Sequence, residues 1–281
     1  MDRMIKPKLY TILLCTCLTI LGIRTVNAQT NLTGFIRDAS GGNGIPYVNI
    51  GVLYQGVGTV TDTTGKFTFL LKNDYTQDSV RISSIGYQTK TVSVAAFKKS
   101  LETDSVISLS PVSTLLPEVA IANRKLKKET IGNDTQSESF TIGFSSNLLG
   151  NEVGVRMKIR KPTKINAFNT YIVKNEYGKV KFRLNIYDIK DGKPNRSILK
   201  ENIFIETAIV SGPLSVDLSQ YDIRCEDDIV VSLEWIEDLG EKGLSFSASF
   251  LGKPAFFRTA SQGAWEKSGT FSVGFSLDVE S

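Results

Sequence analysis

Between Leu32 and Val94 apolar residues alternate with polar ones, and glycine-bearing corners interrupt the alternation at Asp38–Gly44, Gln55–Gly58 and Asp62–Gly65. A side-chain period of two cannot serve a helix, whose faces repeat every 3.6 residues. Corners this close together leave room only for strands that reverse on themselves. The stretch therefore predicts a small antiparallel β-sandwich. Val48, Ile50 and Val52 line one face of a strand, and Phe67, Phe69 and Leu71 repeat the pattern beyond the Asp62–Gly65 turn. Further strands are predicted at Ser79–Ser84, Tyr87–Val94, Ser105–Leu109 and Leu116–Ala122, with a short helix at Ala95–Lys99.

Residues 1–28 read as an export signal. Arg3, Lys6 and Lys8 precede an apolar run from Leu9 to Ile23, and Val26-Asn27-Ala28 places small residues at a cleavage point. The run falls short of the roughly 20 residues needed to span a bilayer, and no other segment spans one as a helix, so no transmembrane segment is expected in the mature chain. An alternative is lipidation at Cys17, since Leu14 lies three residues before it, but that leaves the Val-Asn-Ala motif unexplained. With Cys15 and Cys17 removed in the signal, Cys225 is alone and forms no internal disulfide. The expected location is the periplasm, the outer-membrane surface or the medium. Much of the formal charge of +4 belongs to the signal, and the near-neutral remainder carries no electrostatic footprint for nucleic acid.

The mature chain divides into a sandwich at 29–122, an exposed connector at 123–138 and a second domain at 139–281. The connector carries Arg124, Lys125, Lys127 and Lys128, then Gly132-Asn133-Asp134, with few large apolar residues. Beyond Phe140 the alternation returns in Val153–Ile159, Phe182–Ile186, Val231–Trp235, Leu244–Phe250 and Phe271–Val279, with Ser245, Ser247 and Ser249 on a wet face. The fold class is all-β, with a jelly-roll-like β-sandwich as the second domain, its last strand pairing near its first.

The chain has no histidine. Ser-His and Cys-His pairs are therefore excluded, and zinc would depend on carboxylates and one thiol. No catalytic residue, metal or cofactor is predicted. Asp62-Thr63-Thr64-Gly65 is read as a hairpin turn and not as an aspartic peptidase motif. A glycosidase needs only two carboxylates, and Glu206, Asp217 and Glu234 are its candidates. Glu234, however, lies on the polar side of its strand, where an acid is ordinarily solvated. Binding suits the composition better: a sugar ring stacks on an exposed aromatic flanked by hydrogen-bonding groups. Trp265, within the predicted loop Ser261–Lys267, is the first candidate platform, and Tyr187 and Tyr171 are the second. The competing reading of Trp265 folds it back onto a sheet edge. Asp188, Asp191 and Asn195 lack the spacing of a calcium loop, and a hairpin turn accounts for them. The expected partner is a glycan or an envelope protein.

The ordered set Gly34, Asp38, Gly44, Ile45-Pro46-Tyr47-Val48-Asn49-Ile50, Gly58-Thr59, Thr61-Asp62, Gly65-Lys66-Phe67 and Ser84-Ile85-Gly86-Tyr87 resembles the carboxypeptidase regulatory-like domain over about residues 31–111. That prealbumin-like module occurs in many exported proteins of the Bacteroidetes and precedes the plug of many of their TonB-dependent receptors. Leu116-Pro117-Glu118-Val119 resembles the segment that follows it there. The resemblance implies a scaffold or adaptor. It does not bring peptidase activity, because the zinc domain that accompanies this module in metallocarboxypeptidases uses histidines. At the Ile85-Gly86-Tyr87 step the glycine is expected to let a large ring lie over bare backbone.

Overall fold

The computed structural model describes residues 30–71, 75–112, 127–144, 148–250 and 252–281. The export signal and the strand expected at Leu116–Ala122 lie outside these residues. Seven strands form the first domain: β1 (Thr30–Asp38), β2 (Asn49–Val52), β3 (Gly58–Val60), β4 (Lys66–Leu71), β5 (Ser79–Ser83), β6 (Lys90–Ser93) and β7 (Val106–Leu109). They make a three-stranded sheet in the order β4-β1-β7 and a four-stranded sheet in the order β3-β2-β5-β6. Phe67, Phe69, Ile50, Val52 and Ile82 fill the space between the sheets.

One pair departs from the antiparallel expectation. β7 runs parallel to β1, with Phe35 opposite Val106. The chain reaches β7 from β6 through α1 (Val94–Thr103), which is longer than the predicted helix. Ser93 caps its first turn by accepting from Ala96 N at 3.1 Å. Its Phe97 packs on Phe69 at 5.9 Å, so a buried ring extends a helix whose ends carry no favourable charge. The strand expected from Tyr87 therefore shortens to β6.

The turn at Asp62 behaves as read. Its carboxylate accepts from Thr64 N at 2.7 Å and Lys66 N at 3.0 Å, and Gly65 takes a φ of +82°. At Gly86 the reason differs from the expected one. A Cβ there would meet nothing within 4 Å, and what the position requires is its φ of +87°. Tyr87 instead donates to Asp38 Oδ2 at 3.0 Å.

The second domain comprises β8 (Lys128–Gly132), β9 (Thr141–Phe144), β10 (Glu152–Met157), β11 (Thr163–Asn175), β12 (Val180–Lys190), β13 (Lys193–Ser197), β14 (Ile203–Thr207), β15 (Gly212–Asp217), β16 (Ile223–Cys225), β17 (Ile229–Trp235), β18 (Leu244–Phe250), β19 (Ala255–Arg258), β20 (Glu266–Lys267), β21 (Phe271–Val273) and β22 (Phe275–Glu280). A seven-stranded sheet runs β13-β12-β17-β10-β19-β20, with β14 also on β12. An eight-stranded sheet runs β21-β18-β11-β22-β8, with β15 and β16 on β11 and β9 on β18. Phe144, Phe182, Phe246, Phe275 and Trp235 interlock between the two sheets at ring spacings of 5.4 to 6.2 Å. Among the described residues no helix is long and apolar enough to cross a membrane.

The closing strand pairs with the opening one, Leu277 opposite Ile131. Lys128–Gly132, read in the sequence as part of an exposed connector, is therefore a strand, because an edge of β22 is open to it. The segment Phe271–Val279 divides at Gly274, where the chain leaves β18 for β11 and β8. Ser247, expected on a wet face, is fully buried, while Phe250, expected inside, stands in solvent. The two-residue corner Asp191-Gly192, with φ of +52° and +71°, makes a tight hairpin between β12 and β13, as the turn reading of that acidic stretch requires.

The two sandwiches dock through the outer faces of the four-stranded and seven-stranded sheets. Gly51 and Gly58 face each other across β2 and β3 and lie against the Ser261 carbonyl. A Cβ on Gly51 would collide with that oxygen, and backbone cannot step aside as a flexible side chain does. Gly51→Ala is expected to lower the unfolding free energy by about 1–3 kcal/mol in urea titrations. Gly41→Ala, at an open corner position, should change it by less than about 0.5 kcal/mol.

Candidate functional site

Cross-strand register sets four charged residues in one row on the outer face of the seven-stranded sheet. Arg183 on β12 lies opposite Glu234 on β17, Glu234 opposite Glu152 on β10, and Glu152 opposite Arg258 on β19. Arg183 donates to Glu234 Oε2 through Nε at 2.9 Å and Nη2 at 2.8 Å. Arg258 Nη2 meets Glu152 Oε2 at 2.5 Å. Asn185 joins the two acids, its Nδ2 donating to Glu152 Oε1 at 2.9 Å and Glu234 Oε2 at 2.8 Å, and Ser232 Oγ donates to Glu152 as well. Both glutamates are 0% exposed. The row is neutral as a whole, which is the condition for burying charge at tolerable cost.

The first domain forms its roof. Arg183 Nη1 donates to the Tyr47 carbonyl at 2.7 Å, and Nη2 donates to Asn49 Oδ1. Tyr54 N donates to the Gln262 carbonyl at 2.9 Å, and Gln262 Nε2 donates to Ser83 Oγ at 2.9 Å. Tyr47, Val60 and Ile236 make a small apolar core beside the row. Tyr47, Tyr54 and Gln262 all hold positive φ, at 55°, 63° and 61°. Such backbone persists only where the surroundings over-determine it, and these three share the interdomain seam.

Two of the aromatic candidates meet at the Arg258 end of the row. Trp265 and Tyr187 meet edge to face at 5.7 Å, and Trp265 also lies over the Arg258 guanidinium at 4.9 Å. Tyr187 is buried, its hydroxyl within 3.3 Å of Glu152 Oε2, and burial first, then Glu152, raises its pKa well above the usual tyrosine value. Trp265 is half-buried and covers the end of the charged row, in the manner of the sheet-edge reading.

Tyr171 lies elsewhere. It lines a groove of about 340 Å³ on the outer face of the eight-stranded sheet with Thr130, Gln136, Asn169, Ser215 and Asp278. Asn169 Nδ2 donates to Asp278 Oδ2 at 3.0 Å, Thr130 Oγ1 donates to Asp278 Oδ1 at 2.6 Å, and the Tyr171 hydroxyl donates to Glu138 at 3.2 Å. The groove thus sets one ring among amides, hydroxyls and carboxylates.

The three acids weighed for hydrolysis do not form a site. Glu206 is exposed and held down to about 2 by Lys179 and Lys181, at 2.6 and 2.7 Å. Asp217 accepts from Ser219 N at 2.9 Å, which lowers its pKa. Glu234 is buried, where the sequence read a solvated acid, because alternation does not reveal what covers a polar face. Glu152 beside it is a close acid partner that sequence reasoning missed. The available signal was an acid or arginine at matching polar positions of neighbouring strands. Both carboxylates are fully buried and engaged by arginines, so no sugar ring reaches them. Cys225 is buried beside the Thr163 carbonyl, and burial pushes its thiol up to about 11.

The family model of the CarboxypepD_reg-like domain matches residues 32–121, and the described residues of this part form a β-sandwich. The family is non-catalytic, and the residues beyond 121 match no family model. No curated protein matches the chain. Among solved structures, infectious bursal disease virus of the Gx strain is similar at 12% identity, over 92% of this chain and 67% of that one, with a TM-score of 0.26. The VP2 subviral particle of that virus is similar at 12% identity over 90% and 64%, with a TM-score of 0.26. Its T13 particle is similar at 13% over 90% and 62%, with a TM-score of 0.27. The chain spans about two thirds of the length of those proteins.

Burial pushes the Glu234 carboxyl up, but Arg183, Arg258 and hydrogen bonds from Asn185 and Arg183 outweigh it and leave the group below its usual 4.5. A carboxyl lowered by folding stabilises the fold above its unfolded value, and that stabilisation is lost as pH falls through the folded one. Glu234→Gln strands Arg183 and is expected to cost about 3–5 kcal/mol in urea at pH 7. The difference between wild type and variant should narrow as the titrations move to pH values below 4.5.

Proposed function

We propose that this chain is a non-catalytic adaptor of the bacterial cell envelope whose two sandwiches act as one body and whose second domain binds a glycan in the Tyr171 groove. The observation that carries this reading is the contrast between the two outer faces of the second domain. The seven-stranded face sets Arg183 of its charged row against the first domain, whereas the eight-stranded face carries an open groove with one ring among hydrogen-bonding groups. The non-catalytic family of residues 32–121 and the export signal read at residues 1–28 support the adaptor role and the location.

A protein partner is the second reading, and one cluster favours it. Phe140, Phe250 and Phe271 stand 44%, 51% and 38% exposed, with centroids 5.5 to 6.2 Å apart, at one end of β18. Aromatic groups concentrated in this way are characteristic of interface centres.

A glycan array probed with wild type, Tyr171→Ala and Trp265→Ala separates the possibilities. The expected outcome is binding that disappears in Tyr171→Ala and persists in Trp265→Ala, with the latter variant losing thermal stability instead. Failure of the wild-type protein to retain any polysaccharide sinks the glycan reading and leaves the aromatic cluster as the functional surface.

A further inference from the structure

On the seven-stranded sheet, beyond the roofed row, lies a second concavity of about 350 Å³. Arg156, Lys158, Lys253 and Lys267 surround it, with Phe256 and Pro254 as apolar walls and Asp228 as its acid. Asp228 is already engaged: its Oδ2 accepts from Arg156 Nε at 2.8 Å and Nη2 at 2.6 Å, and its Oδ1 accepts from Ile159 N at 2.8 Å. Among the described residues, no carboxylate lies within ion-pair distance of Lys158, Lys253 or Lys267. These three cations therefore face one concavity whose single lining acid, Asp228, is bound to Arg156. β20 places one of them: Lys267, two residues beyond the Trp265 that meets Arg258, lies over the Phe256 ring at 5.3 Å.

We infer that this pocket binds an anionic sugar, the phosphate, sulfate or carboxylate meeting Lys158, Lys253 and Lys267 while the ring lies against Phe256 and Pro254. The volume exceeds what an oxyanion alone needs, and the apolar walls have no use for a bare ion. Burial, with the positive charges of Arg156, Lys158 and Arg160, lowers the Lys253 pKa against the opposing pull of Asp228. Repulsion among cations held this close is relieved when an anion enters. The pocket is on the opposite sheet from the Tyr171 groove, so it stands or falls independently of the glycan reading there.

The test is titration calorimetry of the full chain with glucose 6-phosphate and glucuronate, against glucose as the uncharged probe. Both anionic sugars should bind and glucose should not, and raising the salt concentration should weaken the binding. Lys253→Glu/Lys267→Glu is expected to weaken both anionic sugars at least tenfold, while Lys200→Glu, which lies outside the pocket, leaves them unchanged. Lys253→Gln/Lys267→Gln, compared by thermal melting, guards against a folding defect and should show an intermediate loss. The proposal is overturned if neither anionic sugar binds, or if the charge-reversed variant binds as tightly as wild type.

Discussion

The four-residue row Arg183–Glu234–Glu152–Arg258 is the constraint from which the rest of the molecule follows. Charge buried on a sheet face is expensive in isolation and tolerable only when each partner is matched and water is kept out. Register supplies the matching, since each residue of the row stands opposite the next. Exclusion of water requires a lid. The first sandwich and the chain around Ser261 form one, and Arg183 bonds directly to Tyr47 and Asn49 of that lid.

The lid explains features that are otherwise unconnected. Gly51 and Gly58 are small so that the Ser261 carbonyl can approach, and the positive φ angles of Tyr47, Tyr54 and Gln262 hold the chain against the seam. Several residues that define the regulatory-like motif thus serve two ends. Asp62 and Gly65 build a hairpin within the domain, while Tyr47, Asn49 and Gly58 hold the domain to its neighbour. Buried ion pairs are weak evidence of stability but a good means of setting one docking register, because any slip strands a charge.

The sites were less legible than the fold. Tyr187, Tyr171 and Trp265 were each visible as aromatics near polar surface, but their fates differ. Tyr187 is sealed, Trp265 is a cover, and Tyr171 lines an open groove. Phe250 follows the inward alternation of β18 and yet emerges into solvent beside Phe140 and Phe271, because the strand end carries it past the packed core. The basic concavity draws on residues from β10, β19, β20 and the segments next to them, so no local window contains it.

By itself, the sequence determined the all-β class, the inward residues of most strands and the hairpin corners, including Asp62–Gly65 and Asp191-Gly192. These follow from alternation and from φ preferences that act within a few residues. Tertiary structure alone decided that the sandwiches lock together, that β7 joins β1 in parallel, that Lys128–Gly132 completes a sheet, and that Glu234 is buried. The physical reason is that alternation tells which side chains share a face, whereas what lies over that face depends on residues more than a hundred positions away, as Tyr47 is from Arg183.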